Sequence, residues 1–305
     1  MALTDATALA GLVKTAYDRY VRMALRSEPQ YRMLADTRPV QQAMPGSSVV
    51  FSLYSDLAAA TSTLTEGTDT TPVAVSDVST VTVTLLEKGN TVTSTRRLRE
   101  LAFSDVDPAV ADLVAYNMLD SIDSLVQVPL IAGTNVLYGG TGNAATADVA
   151  AGDNITGALV RKSVAYLRGG KAIPRNGGLF ATYAHPSVTY DIRGETGALA
   201  WEDTNKYTMS DDLKALVTGT FGGSYWIETP RAYSATDGTS SARVYRTIIA
   251  GKEALAEAVA VEPGVVIGPV TDNLMRFRPI SWYGILGWSR FREACLYRIE
   301  STSSI

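Results

Sequence analysis

The stretch from residue 47 to residue 130 constrains the fold more than any other part of the sequence. A short apolar strand at 49–54 runs into a region dominated by Thr, Val, Ser and Asp, which ends in a hairpin signal at 81–93. Residues 87–90 supply a tight turn, because their glycine and asparagine can adopt positive φ. The arm has few large apolar residues, and an isolated two-stranded arm is marginal in water. We therefore predict an assembly device whose partner is another copy of the chain.

The returning half of this arm has two different faces. Val81, Val83 and Leu85 alternate with threonines, which gives one apolar and one hydroxyl face. Threonine hydroxyls can form hydrogen bonds at a contact between copies. The candidate inter-subunit residues of the arm are therefore Thr61, Thr63, Leu64, Glu66, Val81, Val83 and Lys88.

Three arginines, Arg96, Arg97 and Arg99, lie between the arm and the helix that follows, just before Glu100. One interpretation is a solvated junction. The other is pairing with acidic groups on a neighbouring copy, for which the planar guanidinium is better suited than a lysine. On the second interpretation all three arginines are further inter-subunit candidates.

The N-terminal residues 5–26 repeat apolar groups at helical spacing, and Pro29 ends the predicted helix. Its positive charge at Arg19, Arg22 and Arg26 fits a solvated face, or contact with an enclosed polyanion or an acidic partner. The contact candidates on the apolar face are Leu9, Leu12, Tyr17 and Tyr20.

A long helix should follow the arm. Asp107 offers a side-chain cap and Pro108 fits the first helical position. Apolar residues then recur three or four apart, and Pro129 is the expected stop. The acidic residues expected on the solvated side are Asp112, Asp120 and Asp123.

The remaining chain predicts an α+β body, because no regular alternation of strands and helices is seen. Helices are expected at 156–168, after His185-Pro186, and from 210 to 217. Strands are expected at 179–183, 225–228, 243–250 and 259–267, with a closing pair of strands between 274 and 300.

The sequence offers little for catalysis. His185 is the only histidine and Cys295 the only cysteine, so a zinc site lacks ligands. A catalytic triad would depend on His185, which fits a structural role beside Pro186, and Cys295 lies in an apolar run that suits a buried small hydrophobe. We predict no catalytic, metal-binding or cofactor-binding residues and no enzymatic activity. A hydrolase that uses two carboxylates is the alternative, because 31 acidic residues always allow a pair in space.

The charge balance and hydropathy restrict the partners. A net charge of −4 and a pI near 5.2 argue against a dedicated nucleic-acid binder, which is usually basic. They leave open a container whose inner wall must not stick to its contents. No apolar stretch reaches the roughly 18 residues of a membrane span, and the N-terminus lacks a signal-peptide pattern. We expect no membrane partner.

The order of arm, strand, hairpin, long helix, α+β body and closing strands resembles the major capsid protein of tailed bacteriophages, with its Hong Kong 97-type fold. Local motifs carry the same resemblance to the branch typified by coliphage N-four. The segment from Phe180 to Arg193 resembles that branch's strand followed by "HP…YDLR". Phe221 to Thr229 is similar to its "G…G…F/W-V-E-T" segment, and Ile285 to Glu300 resembles its terminal strands.

The resemblance implies a division of the chain into the parts of that fold. These are the N-arm at 1–47, the E-loop and its base strands at 48–96, a first part of the P domain at 97–189 with the spine helix at 105–130, the A domain at 190–265, and the closing P-domain strands at 266–305. Because the sequence starts directly with the arm, we expect a separate scaffold protein or a fused one already removed. Lys88 and Asn90 do not establish covalent linking between subunits, and we do not predict it.

The resemblance also implies the function and the partners. The chain would assemble with itself into hexamers and pentamers of an icosahedral virion shell around double-stranded DNA, in the host bacterial cytoplasm. A scaffold protein, a portal and a decoration protein would be further partners, and contacts with packaged DNA would be non-specific. No cofactor is implied. The alternative with the same fold is a cellular nanocompartment shell that carries an enzyme cargo.

Overall fold

A computed structural model describes residues 26–39, 47–54, 56–70, 72–75, 79–101, 106–196, 219–270 and 272–305. The predicted N-terminal helix lies almost wholly outside these residues, and the helix expected at 210–217 lies outside them entirely. The N-arm contact candidates that also fall outside them are Leu9, Leu12, Tyr17 and Tyr20.

Helices and strands are mixed along the chain, as predicted for an α+β protein. The α-helices of the described residues are α1 (Arg96–Leu101), α2 (Val106–Ile131), α3 (Gly157–Gly169) and α4 (Pro186–Gly194). The strands are β1 (Ala35–Pro39), β2 (Ser48–Leu53), β3 (Ser79–Thr84), β4 (Leu86–Thr95), β5 (Val136–Tyr138), β6 (Phe180–Ala184), β7 (Gly219–Phe221), β8 (Ser224–Glu228), β9 (Ser234–Ala235), β10 (Val244–Ala250), β11 (Leu255–Ile267), β12 (Phe277–Arg290) and β13 (Leu296–Ser301).

The strands form two sheets and a separate ribbon. One sheet has the order β1-β11-β12-β4, in which β1 runs parallel to β11 and the other neighbours are antiparallel. The second has the order β5-β13-β10-β6-β8-β7, with β9 added to β10. The ribbon is the antiparallel pair β2-β3, which forms the base of the arm.

The predicted turn at 87–90 is wrong, because these residues lie inside β4. Lys88 pairs with Gly284 of β12, and Gly89 pairs with Tyr283. A side chain at Gly89 would place its Cβ 2.6 Å from the Trp282 carbonyl oxygen. The glycine therefore permits a close approach between two strands, which is the other common reason for glycine in a strand. The arm turns earlier, between β2 and β3.

The two predicted closing strands are present as β12 and β13, but they do not pair with each other. β12 pairs with β11 and β4, whereas β13 pairs with β10 and β5 in the other sheet. A short 3₁₀ turn, Glu293–Cys295, separates the two strands and takes the chain from one sheet to the other. Strand pairing therefore crosses the predicted domain boundary between residues 265 and 266.

The long helix α2 is present, but the cap and the stop signal expected at its two ends act differently. It begins at Val106, one residue before the expected cap. The Asp107 carboxylate instead accepts hydrogen bonds from Ser94 at 3.1 Å and Arg278 at 3.3 Å, so it ties the helix to β4 and β12. Pro129 lies inside the helix, which continues to Ile131.

Several elements whose ends are set by neighbouring residues match the prediction closely. The Thr156 side chain caps α3 by accepting a hydrogen bond from the Leu159 amide at 3.4 Å, and Gly170 ends that helix. β6 is buried along its whole length. His185 caps α4, and Pro186 occupies its first position.

Residues 26–39 form a strap across the body. The Asp123 carboxylate of α2 accepts a buried hydrogen bond from the Tyr31 backbone amide at 2.7 Å. Arg32 pairs with the buried Glu257 of β11 at 2.8 Å, and β1 continues the strap as an edge strand on β11. The strap is therefore fastened to the long helix and to the four-stranded sheet.

The seven-stranded sheet is covered by different elements on its two faces. Thr182 and Tyr297 share one face, because both are paired with the same residue of β10. Tyr166 of α3 stacks on Tyr297 with ring centroids 5.7 Å apart. Tyr183 points to the opposite face, where it packs on Tyr31 of the strap at 5.0 Å. Helix α3 and the strap with α2 therefore lie on opposite sides of this sheet.

Candidate inter-subunit surface

The described residues of the arm beyond the β2-β3 ribbon form no core of their own. All described residues from 56 to 75 are exposed. Its large apolar side chains are between 57% and 75% exposed, a fraction that a covered side chain would not retain. These side chains are Tyr54, Leu57, Leu64, Val73 and Val75. Several highly exposed apolar side chains in one segment suit a surface for another protein, and we call residues 54–75 the arm loop.

The arm loop is acidic as well as apolar. It contains Asp56, Glu66 and Asp69, and it contains no lysine or arginine. A complementary surface would therefore combine apolar side chains with cations.

The predicted contact residues of the arm divide into two groups. Thr61, Thr63, Leu64 and Glu66 are exposed in the arm loop. Val81 and Lys88 are half-buried in β3 and β4, and Val83 has no exposed surface. Val83 packs beneath the ribbon with Phe51, Ala256, Ala258 and Phe291. The Val83 side chain therefore belongs to the chain's own core and cannot contact a neighbouring subunit.

The arm is anchored where β3 crosses β12. A Cβ added at Gly287 would lie 2.1 Å from the Thr84 carbonyl oxygen and 3.1 Å from the Val83 side chain. Beside this crossing, Phe51 of β2 meets Phe291 edge to face, with ring centroids 5.8 Å apart. The base of the arm is therefore tightly packed, in contrast to the arm loop.

Replacing Gly287 with alanine should destabilise the fold by about 1–3 kcal/mol, because the added methyl group overpacks a backbone crossing. Urea unfolding followed by circular dichroism measures this change. Gly264→Ala is the matched control in β11, since nothing lies within 4 Å of a Cβ at that position. Equal losses of stability in the two variants would show that the crossing is not tightly packed.

The three arginines predicted as contact candidates all lie in α1, and their surroundings differ. Arg96 pairs weakly with Glu100 at 3.9 Å, and both side chains are exposed. Arg99 lies 3.7 Å from Asp107 of α2. Arg97 is exposed and forms no ion pair with another described residue. Arg96 and Arg97 are therefore the cations of this cluster that a neighbour could reach.

An exposed apolar surface that we did not predict lies beside these arginines. The Arg96 amide donates to the Arg276 carbonyl at 2.8 Å, which joins α1 to the loop between β11 and β12. We call the apolar side chains at this end of the sheet the distal patch, and they are Leu98, Leu101, Ile267, Val270, Leu274 and Met275. Scattered single positions in two segments form the patch, so no local sequence pattern indicated it.

One prediction about α2 is wrong, because Asp123 is buried and not on the solvated side. It is 1% exposed. Arg231, in the loop after β8, donates to it at 2.7 Å and also contacts Asp120. A signal was present in the sequence, since Asp123 follows Ile122 and lies three residues before Val126 on the apolar stripe of the helix.

Two further buried carboxylates were not predicted. Glu257 accepts hydrogen bonds from Thr37 and from the Trp288 indole at 3.1 Å, in addition to its pair with Arg32. Glu300 is held by Arg298 at 2.7 Å and by a second arginine of β10. Each carboxylate has a cation partner, as buried charges require, and each is explained by its contacts within the chain.

The single histidine and cysteine occupy structural positions. The His185 Nδ1 accepts from the Ser187 amide at 3.2 Å as the cap of α4. Burial lowers the pKa of His185, and the nearby Arg243 lowers this pKa further. Burial raises the pKa of the Cys295 thiol, which is 6% exposed. These positions fit the structural roles expected for both residues.

The described part of the chain shows neither a metal cluster nor a membrane-spanning helix. There, no group of three or more His, Cys, Asp and Glu side chains is arranged to hold a metal ion. None of the helices described is long and apolar enough to cross a membrane.

Comparison with solved structures identifies the fold. The capsid subunit of cyanophage Pam1 is 12% identical with a TM-score of 0.74, covering 99% of this chain and 100% of that one. The capsid subunit of Ralstonia phage GP4 is 13% identical with a TM-score of 0.74, covering 96% of each chain. That of Helicobacter pylori bacteriophage KHP30 is 12% identical with a TM-score of 0.73, covering 99% of each. Among the curated proteins compared, none matches the sequence.

These matches and the exposed arm define a structural protein of the Hong Kong 97-type capsid fold, as the sequence predicted. A family model described as phage capsid protein matches residues 10–302. The chain therefore belongs to the phage capsid protein family, and it is a major capsid protein of the bacteriophage virion. The nanocompartment and hydrolase alternatives are not favoured by these findings.

Proposed function

We propose that this subunit forms the hexamers and pentamers of an icosahedral shell that encloses double-stranded DNA, and that the arm loop makes the decisive contact. The observation that carries this proposal is the exposure of the acidic, apolar arm loop on a tightly packed base. Assembly takes place in the host bacterial cytoplasm. A scaffold protein and a portal act during assembly, and a decoration protein is a further partner.

Closure of the shell would rest on many weak contacts. A contact of about 4 kcal/mol corresponds to a millimolar dissociation constant. A subunit that touches several neighbours at once gains effective concentration, so the closed shell is far tighter than any pair of subunits. Weak pairs also allow a misplaced subunit to leave before closure.

The distal patch of a neighbouring subunit is the proposed partner of the arm loop. Both surfaces expose large apolar side chains. The arm loop supplies Glu66 and Asp69, and the distal patch is bordered by the exposed Arg96 and Arg97. Opposite charges around an apolar centre set the register of a contact between proteins. The proposed contact set therefore keeps the exposed candidates of the arm and omits Val83.

The test uses the full chain and two charge-reversed variants. The natural chain should elute as capsomers or particles on size-exclusion chromatography and show shells in negative-stain images. Arg96→Glu/Arg97→Glu should form few or no shells, because the arm loop then meets like charge. Adding Glu66→Arg/Asp69→Arg to that variant should restore shells, since the charges are exchanged.

The matched control for charge reversal is Arg243→Glu/Lys252→Glu, which changes two exposed cations elsewhere on the surface. This variant should assemble normally. A natural chain that remains a small oligomer would overturn the shell proposal. Normal shells from Arg96→Glu/Arg97→Glu would overturn the contact between arm loop and distal patch and leave the shell proposal standing.

DNA contact is proposed for the side of the subunit that carries the strap. Arg19, Arg22 and Arg26 precede or begin the strap, and Arg26 lies over the Tyr116 ring of α2, 4.7 Å from its centroid. Cations on an otherwise acidic chain suit non-specific phosphate contacts that weaken with salt. The N-arm residues before the strap are proposed to reach another subunit.

The part names of the capsid fold stay a prediction for this chain. The pairing of β11 with β12 and of β10 with β13 supports dividing the P and A domains along the two sheets. We propose α2 with the four-stranded sheet as the P domain and the seven-stranded sheet as the A domain, which moves β5, β6 and β13 out of the predicted P domain and β11 into it.

A further inference from the structure

Helix α3 carries a concentration of positive charge on its exposed side. Arg161, Lys162, Arg168 and Lys171 are all exposed, and no acidic residue occurs between 157 and 175. Residues seven apart fall on nearly the same side of a helix, so Arg161 and Arg168 share one stripe. Helix α2, by contrast, contains four aspartates and no lysine or arginine.

Three of these cations have no acidic partner among the described residues. Lys162, Arg168 and Lys171 form no ion pair there, although most other arginines of the body do. We call this exposed side of α3, with the adjoining Tyr166 and Ile173, the α3 face.

The α3 face also offers apolar contact. Tyr166 is 46% exposed and is held in place by its stacking on Tyr297, and Ile173 is 54% exposed. Ala165 separates the basic residues, so a partner backbone can approach closely. A groove of about 380 Å³ adjoins Lys162 at the start of the helix, and it is lined mainly by small residues. Fixed aromatic rings, aliphatic groups and cations together are typical of a protein interface.

The position of α3 separates it from the proposed DNA contacts. It lies across the seven-stranded sheet from the strap and α2. If the strap side faces the enclosed DNA, as the proposed function has it, the α3 face is on the outside of the shell. A polyanion held inside cannot reach it there.

We propose that the α3 face is an outer docking surface for an acidic protein segment. The inference rests on the proposed shell and on its orientation. The charge of the face selects carboxylate-rich partners, and the groove and the Tyr166 ring accept their apolar side chains. Exposed ion pairs are individually weak, so the contact depends on several cations together and weakens with salt.

The test has two measurements on intact shells of the full chain. An amine-reactive polymer too large to enter the shell should modify Lys162 and Lys171 without the shells being opened, as read by mass spectrometry. Fluorescent poly-glutamate should bind the shells at low salt. Its affinity should fall about threefold in Lys162→Glu and in Arg168→Glu, and about tenfold in the double variant. Arg243→Glu is the matched control and should change little.

The outcomes separate this proposal from the proposed function. Modification of Lys162 and Lys171 only after the shells are opened would overturn it, since the α3 face would then point inward. Poly-glutamate binding that is unchanged by the double variant would also overturn it, as would preferential binding of double-stranded DNA to the α3 face. If the chain forms no shells, the shell proposal fails and so does the outer placement. Poly-glutamate binding by the free subunit, lost in the double variant, would still support the docking surface.

Discussion

A subunit in which residues 54–78 are replaced by Asn-Gly should fold, stay soluble and form no shells. Leu53 and Ser79 lie opposite each other in the β2-β3 ladder, so a two-residue turn can close the ribbon. The described residues from 56 to 75 are exposed, and their removal leaves no cavity. We expect the unfolding free energy to change by no more than about 0.5 kcal/mol. Size-exclusion chromatography and negative-stain images measure the loss of particles, and thermal unfolding measures the intact fold.

A longer deletion is the informative control. Removing residues 60–90, which the predicted hairpin boundaries suggest as the arm, should leave a chain that does not fold. It would delete β3 with the fully buried Val83 and the first five residues of β4, all of which pair with β12. If the Asn-Gly variant formed normal shells, the arm loop would not be the decisive contact.

Replacing Arg231 with methionine should destabilise the subunit by about 3–5 kcal/mol, because it leaves the carboxylate of Asp123 buried without its cation. Asp123 is 1% exposed, and Arg231 donates to it at 2.7 Å. Urea unfolding of the unassembled Asn-Gly variant, with and without Arg231→Met, measures the change free of shell contacts.

Arg276→Met is the matched control, because the Arg276 side chain is 53% exposed in its pair with Asp272. Loss of this exposed pair should cost less than about 1 kcal/mol. Replacing both partners, as Asp123→Leu/Arg231→Met, should recover part of the stability, since no unpaired buried charge remains. Equal stability of Arg231→Met and Arg276→Met would contradict the role given to the buried pair.

Elements with strong local signals could be predicted from the sequence. Helix α3 has a threonine cap and a glycine stop, and α4 has His185 and Pro186 at its start. These signals depend on residues within one helical turn of each other, so distant tertiary contacts do not change where the helix begins or ends. The alternation around Val81 also located β3 correctly, although it could not distinguish a face covered by a neighbour from a face covered by β12.

Features set by distant partners could not be predicted in the same way. A glycine at position 89 is compatible with a turn or with a close strand approach, and only the position of β12 decides between them. The same limit applies to the distal patch, whose two segments are about 170 residues apart in the chain. Asp123 is the exception. Its place on the apolar stripe of α2 indicated burial, but we expected it on the solvated side with the other acidic residues.

The strap has a mechanical consequence for the subunit. Tyr31 packs the strap against the seven-stranded sheet, while β1 pairs with β11 and so joins the strap to the four-stranded sheet. Because the strap is attached to both sheets, the two sheets cannot slide freely against each other. Any change in curvature as a shell expands must therefore be accommodated at the contacts between subunits, where the arms can move. The subunit itself stays rigid.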